Sequence, residues 1–83
     1  MRITVKLFAT LSRYLPPGTE RNVAEIEVPE AATVAEVIER LGLPEEEVHM
    51  TLLDGRFVAP QDRARTPLAS GQSLAIWPPV AGG

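Results

Sequence analysis

Apolar and polar residues alternate strictly from Arg2 to Leu7, with Ile3, Val5 and Leu7 on one face and Arg2, Thr4 and Lys6 on the other. A period of two predicts a half-buried strand. Phe8 follows at its end with polar-face parity. Ala9 to Leu15 then predicts a short helix with Leu11, Tyr14 and Leu15 inward, ended by Pro16-Pro17-Gly18. Asn22 to Val28 alternates again, Ala24, Ile26 and Val28 against a solvated pair, Glu25 and Glu27. It predicts a second strand, antiparallel to the first.

The period changes at Thr33. Thr33-Val34-Ala35-Glu36 has the form of a capping box, in which a hydroxyl accepts from an early helical N–H and the glutamate reaches back. Val34, Val37, Ile38 and Leu41 then fall on one helical stripe, with Glu36, Glu39 and Arg40 outside it. Gly42 suits a left-handed C-terminal position, and Pro44 prevents continuation. Glu45-Glu46-Glu47 reads as one further, solvated turn. Val48 to Leu53 and Arg56 to Val58 flank Asp54-Gly55, a pair that tolerates positive φ and predicts a hairpin. Ala59 to Ala69, with Pro60 and Pro67, reads as a loop; Arg56, Arg63 and Arg65 are read as solvated surface residues, with polar contacts to a partner as the alternative. The last strand is Gln72 to Trp77, with Leu74 and Ile76 inward and Trp77 on the opposite face. One main helix over one face of a small mixed sheet is the economical α+β packing, with the two terminal strands side by side in its middle.

Composition narrows the chemistry. The 83 residues suffice for one domain, placed at residues 1–77, with residues 78–83 as a tail. The net charge is −3, and Lys6 is the sole lysine, which argues against a nucleic-acid footprint. There is no cysteine, so no disulfide, thiolate metal site or catalytic thiol is available. His49 is the only histidine, and no P-loop or dinucleotide glycine motif occurs. No bound metal or cofactor is expected, and a self-sufficient enzyme is not. The chain lacks an apolar run near the length of a membrane span and a signal-peptide core, so a cytoplasmic setting is expected.

What remains is the ending, Trp77-Pro78-Pro79-Val80-Ala81-Gly82-Gly83. Pro78 and Pro79 lack N–H donors and favour an extended exit from the last strand. Val80 and Ala81 are small, and Gly82 and Gly83 allow close backbone approach. A stiff base with a thin tip is suited to threading into a narrow site on another protein. A carboxylate is a poor electrophile, so transfer from Gly83 requires activation by a partner using ATP. A sulfur nucleophile displacing AMP would then leave a thiocarboxylate. Phe8 and Trp77, aimed off the core side by parity, are the candidate exposed anchors for partner docking.

At these residues the chain resembles the MoaD/ThiS family of ubiquitin-like sulfur carriers. The Pro-Pro-Val-Ala-Gly-Gly ending carries the likeness. Val5-Lys6-Leu7-Phe8-Ala9, Leu53-Asp54-Gly55 and Pro67-Leu68-Ala69-Ser70-Gly71-Gln72 support it. Within the family, an aromatic before Pro-Pro-Val is most like small subunits of molybdopterin synthase. One departure is Val58-Ala59-Pro60, where many relatives carry Val-Asn.

The resemblance implies a β-grasp fold. It implies adenylation of Gly83 by a ubiquitin-activating-like adenylyltransferase and thiocarboxylate formation with a sulfurtransferase as sulfur source. It further implies a heterotetramer with the molybdopterin synthase large subunit. There the arm of Pro78, Pro79, Val80, Ala81 and Gly82 enters the active site, and sulfur passes to cyclic pyranopterin monophosphate. The chain would be the sulfur-donor subunit, with the catalytic side chains on the large subunit. The alternatives are a carrier for thiamine thiazole or an amino acid, a ubiquitin-like modifier joined to lysines, and a binding module whose tail is idle.

Overall fold

The computed structural model describes residues 1–19 and 21–79. Its strands are β1 (Arg2–Leu7), β2 (Val23–Glu27), β3 (Met50–Leu53), β4 (Arg56–Val58) and β5 (Ser73–Trp77), and its α-helix is α1 (Val34–Leu41). The strands form one sheet in the order β2-β1-β5-β3-β4. The terminal strands β1 and β5 are parallel neighbours at its centre, pairing Val5 with Leu74 and Leu7 with Ile76. The other three pairings are antiparallel. This is the β-grasp, ubiquitin-like arrangement.

The alternation places Ile3, Val5, Leu7, Leu74 and Ile76 on one face, all essentially inaccessible to water. Val34, Val37 and Ile38 of α1 complete that core with Leu11 and Leu68. Each such side chain contributes roughly 1.5–3 kcal/mol by leaving water. Thr51 is the one polar strand residue in this layer, and its hydroxyl donates to the Val58 carbonyl at 2.8 Å.

Local chemistry sets the element ends as the sequence predicts. The Thr33 hydroxyl accepts from the Glu36 N–H at 3.2 Å, and the Glu36 carboxylate accepts from the Thr33 N–H at 3.1 Å. Gly42 closes α1 at φ 77°. Asp54 and Gly55 both hold positive φ, as a two-residue hairpin turn with the right-handed strand twist requires. Glu25 and Glu27 lie exposed and pair with Arg2 on the neighbouring strand.

Two readings need correction. Ala59 to Ala69 is not simply a loop: Pro60–Arg65 forms a 3₁₀ helix packed against α1. Pro60 at its first position supplies a helical φ and needs no hydrogen-bond acceptor there. The Val34 N–H donates to the Thr66 carbonyl and the Leu68 N–H to the Ala32 carbonyl, fastening this segment to the start of α1. Arg63 is not a solvated surface residue, since only 8% of it is exposed. The 3₁₀ turn points it beneath α1, a direction that a loop reading does not supply. The helix after β1 is also 3₁₀, Ala9–Tyr14, with Leu11 and Leu15 buried as expected.

Candidate functional site

The root of the tail lies at the end of the central strand β5. Three interactions fix it. The Phe8 N–H donates to the Ile76 carbonyl at 3.1 Å, on the β1 side. The His49 N–H donates to the Trp77 carbonyl at 2.9 Å, on the β3 side. The Phe8 and Trp77 rings stack with centroids 4.3 Å apart and planes within 4°. Trp77 is therefore held by backbone and ring before the chain passes into Pro78, half-buried, and Pro79, exposed. Val80, Ala81, Gly82 and Gly83 lie outside the described residues.

Phe8 and Trp77 thus occur together on the face expected of them, opposite the core. They are half-buried against each other and not freely projecting. Ala9, next in the chain, holds φ 51°, and this left-handed residue turns the backbone out of β1 into the following 3₁₀ helix. Parity carries Phe8 to the outer face, and the stack covers one side of each ring.

Strand pairing widens the site beyond those two residues. Met50 is the register partner of Trp77. The next row across the sheet runs Val23, Lys6, Ala75, Leu52 and Phe57 by successive pairings. Phe57 is 62% exposed, far more than a large apolar side chain in a small domain ordinarily is. The outer face is consequently divided. Its β5, β3 and β4 side carries Trp77, Met50, Ala75, Leu52 and Phe57, continuous with the tail root. Its β1 and β2 corner carries Arg2, Glu25 and Glu27 as ion pairs.

Sequence reasoning singled out Phe8 and Trp77 but not Met50, Leu52 and Phe57. The signal was present in the alternation of Met50-Thr51-Leu52-Leu53, once Thr51 and Leu53 are recognised as the buried pair. A polar residue on the buried parity and a leucine on the open one disguise it.

Among the described residues no group of three or more His, Cys, Asp or Glu side chains could hold a metal ion. No helix among them is long and apolar enough to cross a membrane. The Arg63 guanidinium donates through Nη2 to the His49 carbonyl at 3.3 Å, and its Nε has no partner. Burial pulls its pKa down from the ordinary arginine value, while the nearby Glu45 charge opposes that shift.

Comparison with known proteins places this geometry. SAMP1 from Haloferax volcanii superposes with a TM-score of 0.72 at 25% identity, covering 100% of both chains. A protein assigned as molybdopterin converting factor subunit 1 from Pyrococcus furiosus gives 0.68 at 27% identity, over 95% of this chain and 98% of that one. A complex of subunits 1 and 2 of molybdopterin-converting factor from Helicobacter pylori matches at 0.60 and 24% identity, over 100% of both chains, a likeness of fold alone. No curated protein sequence matches the chain significantly. The ThiS family model matches residues 5–83, and the chain belongs to that family, as a ubiquitin-like sulfur carrier of the ThiS/MoaD type.

Proposed function

We propose that this carrier is the small subunit of molybdopterin synthase and that its sulfur travels as a thiocarboxylate on Gly83. The observation that carries the reading is the continuity between the outer apolar face and the tail root. Trp77 belongs to both: its ring lies in the face, and its carbonyl is the last pinned group before Pro78. A large subunit seated on Met50, Leu52 and Phe57 therefore lies beside the point where the tail begins. The tail from Pro78 to Gly83 spans at most about 20 Å when extended, which sets how far from the docking face the partner's reaction centre lies. The aromatic-Pro-Pro-Val-Ala-Gly-Gly ending and the 27% identity to the Pyrococcus protein support this pathway over the thiamine one.

The chemistry follows from the poor electrophilicity of a carboxylate. An adenylyltransferase joins the Gly83 carboxylate to AMP, releasing pyrophosphate from ATP. A sulfide equivalent delivered by a sulfurtransferase attacks the acyl carbon, and AMP leaves. The resulting thiocarboxylate enters the large subunit and gives its sulfur to cyclic pyranopterin monophosphate. This chain contributes the donor atom, a stiff base that limits the entropy lost on insertion, and a docking face. The side chains that act on the pterin belong to the partner.

The first experiment is intact mass after incubation with the adenylyltransferase, ATP and a sulfur donor, beside a Gly83-deleted control. The expected result is a gain matching one oxygen exchanged for one sulfur, absent from the control. The loaded protein, mixed with the large subunit and cyclic pyranopterin monophosphate, is then expected to lose that sulfur. Retention of the sulfur under those conditions rejects the molybdopterin pathway. A second reading, attachment to lysines of other proteins, is favoured by the likeness to a protein designated an archaeal modifier. It predicts isopeptide conjugates after adenylation, without any sulfur gain.

A further inference from the structure

We propose that the hollow between α1, the Glu45–Glu47 turn and the Pro60–Arg65 helix is a second docking groove. Its occupant is a partner-protein segment in which an apolar side chain stands between basic residues. The hollow has a volume of about 430 Å³, enough for a large side chain and its flanking backbone. It lies on the helix side of the sheet, away from the face of Trp77 and Phe57, so both surfaces are available together. The inference does not depend on the sulfur pathway.

Three features define the occupant. Ile38, Leu43 and Val48 line the groove as the outermost part of the core, each 6–8% exposed where the central core residues are sealed. They call for an apolar anchor. Arg63 also lines the groove and is only 8% exposed. Its guanidinium has five N–H donors. Among the described residues it makes one hydrogen bond, to His49, and Nε is sealed from water without an acceptor. A buried cation with so few acceptors is costly, and an incoming oxygen at the guanidinium lowers that cost.

The charge of that oxygen is decided at the rim. Glu39 and Glu45 border the groove, both exposed, and neither joins an ion pair among the described residues. Two carboxylates at the mouth against one inward-turned guanidinium repel an acidic ligand. A peptide carbonyl suits Arg63, and lysine or arginine on either side of the anchor suits Glu39 and Glu45.

The test uses the whole chain, labelled with ¹⁵N, and two blocked peptides: acetyl-Lys-Leu-Leu-Lys-amide and its twin with glutamates in place of the lysines. Millimolar basic peptide is expected to shift the amide signals of Ile38, Leu43, Val48 and Ala64 while leaving Leu52 and Phe57 in place. The acidic twin is expected to bind at least about fivefold more weakly, and the difference to shrink in high salt. Arg63→Met removes the donor, and Ala64→Trp fills the hollow; each is expected to weaken the basic peptide. Equal or tighter binding of the acidic twin, shifts confined to the outer sheet face, or no shift with either peptide overturns the proposal. The comparison of peptides on the unsubstituted protein decides the matter even if a variant fails to fold.

Discussion

The backbone N–H of His49 donates to the carbonyl of Trp77 at 2.9 Å, tying the last strand residue to β3 immediately before the two prolines. On its other side the His49 carbonyl accepts from Arg63, so the backbone of one residue joins the tail root to the groove beneath α1. With the Phe8 ring stacked on Trp77, the tail leaves from an anchored point. The histidine ring is exposed and takes no part in these contacts, so the anchoring works through the backbone of His49.

Phe8→Ala removes the stacking partner of Trp77 and leaves one side of the indole open. A half-buried aromatic lost from such a pair costs about 1–2 kcal/mol, below the full core penalty. The urea midpoint is expected to fall accordingly. Trp77 fluorescence is expected to shift to longer wavelength in the folded protein as its ring becomes wetter.

Phe57→Ser separates docking from stability. The side chain is largely exposed, so the folded state is expected to change by no more than about 0.5 kcal/mol in chemical denaturation. Binding to the large subunit, followed by titration calorimetry, is expected to weaken by about tenfold or more, as for an aromatic anchor in an apolar contact. Unchanged affinity would remove the outer sheet face from the interface.

Thr33→Ala removes one half of the capping box and leaves the Glu36 N–H without its acceptor. The expected loss is about 1 kcal/mol in urea unfolding. Sulfur loading of Gly83 below the transition is expected to be unchanged, because α1 lies on the core side of the sheet, away from the outer docking face.

Arg63→Met and Ile76→Ala alter two buried side chains, with opposite expectations. Ile76→Ala opens a cavity in the central strand and is expected to cost about 2–5 kcal/mol. Arg63→Met fills similar space and removes a poorly partnered charge, at the loss of one long hydrogen bond to His49. It is expected to lose less than about 1 kcal/mol or to gain stability. Urea midpoints of the two variants, measured side by side, check the contrast. An Arg63→Met loss matching that of Ile76→Ala would show that the guanidinium is a structural keystone.

Much of the architecture was legible before any coordinates. Alternation in Arg2–Leu7 and Ser73–Trp77 names their buried faces because a strand turns side chains over every residue. Thr33 with Glu36, Gly42, and Asp54-Gly55 announce their caps and turn because each answers a backbone requirement within a few residues. The Pro-Pro and Gly-Gly of the tail are equally local, so the carrier chemistry was expected from residues 78–83 alone. Arg63 was not legible: its spacing after Pro60 carries no sign that a 3₁₀ helix turns it beneath α1.

Periodicity says which way a side chain faces but not which strand lies beside it. That Phe8 meets Trp77, and that Met50, Leu52 and Phe57 extend the same surface, depends on parallel β1–β5 pairing and on the β5–β3–β4 register. The sequence by itself determined the elements, their inner faces and the chemical ending. Only the tertiary structure decided what adjoins that ending and that an arginine sits in the helix-side groove. The reason is that contacts between residues far apart in the chain are selected by packing of the whole core, whereas caps, turns and alternation are satisfied locally.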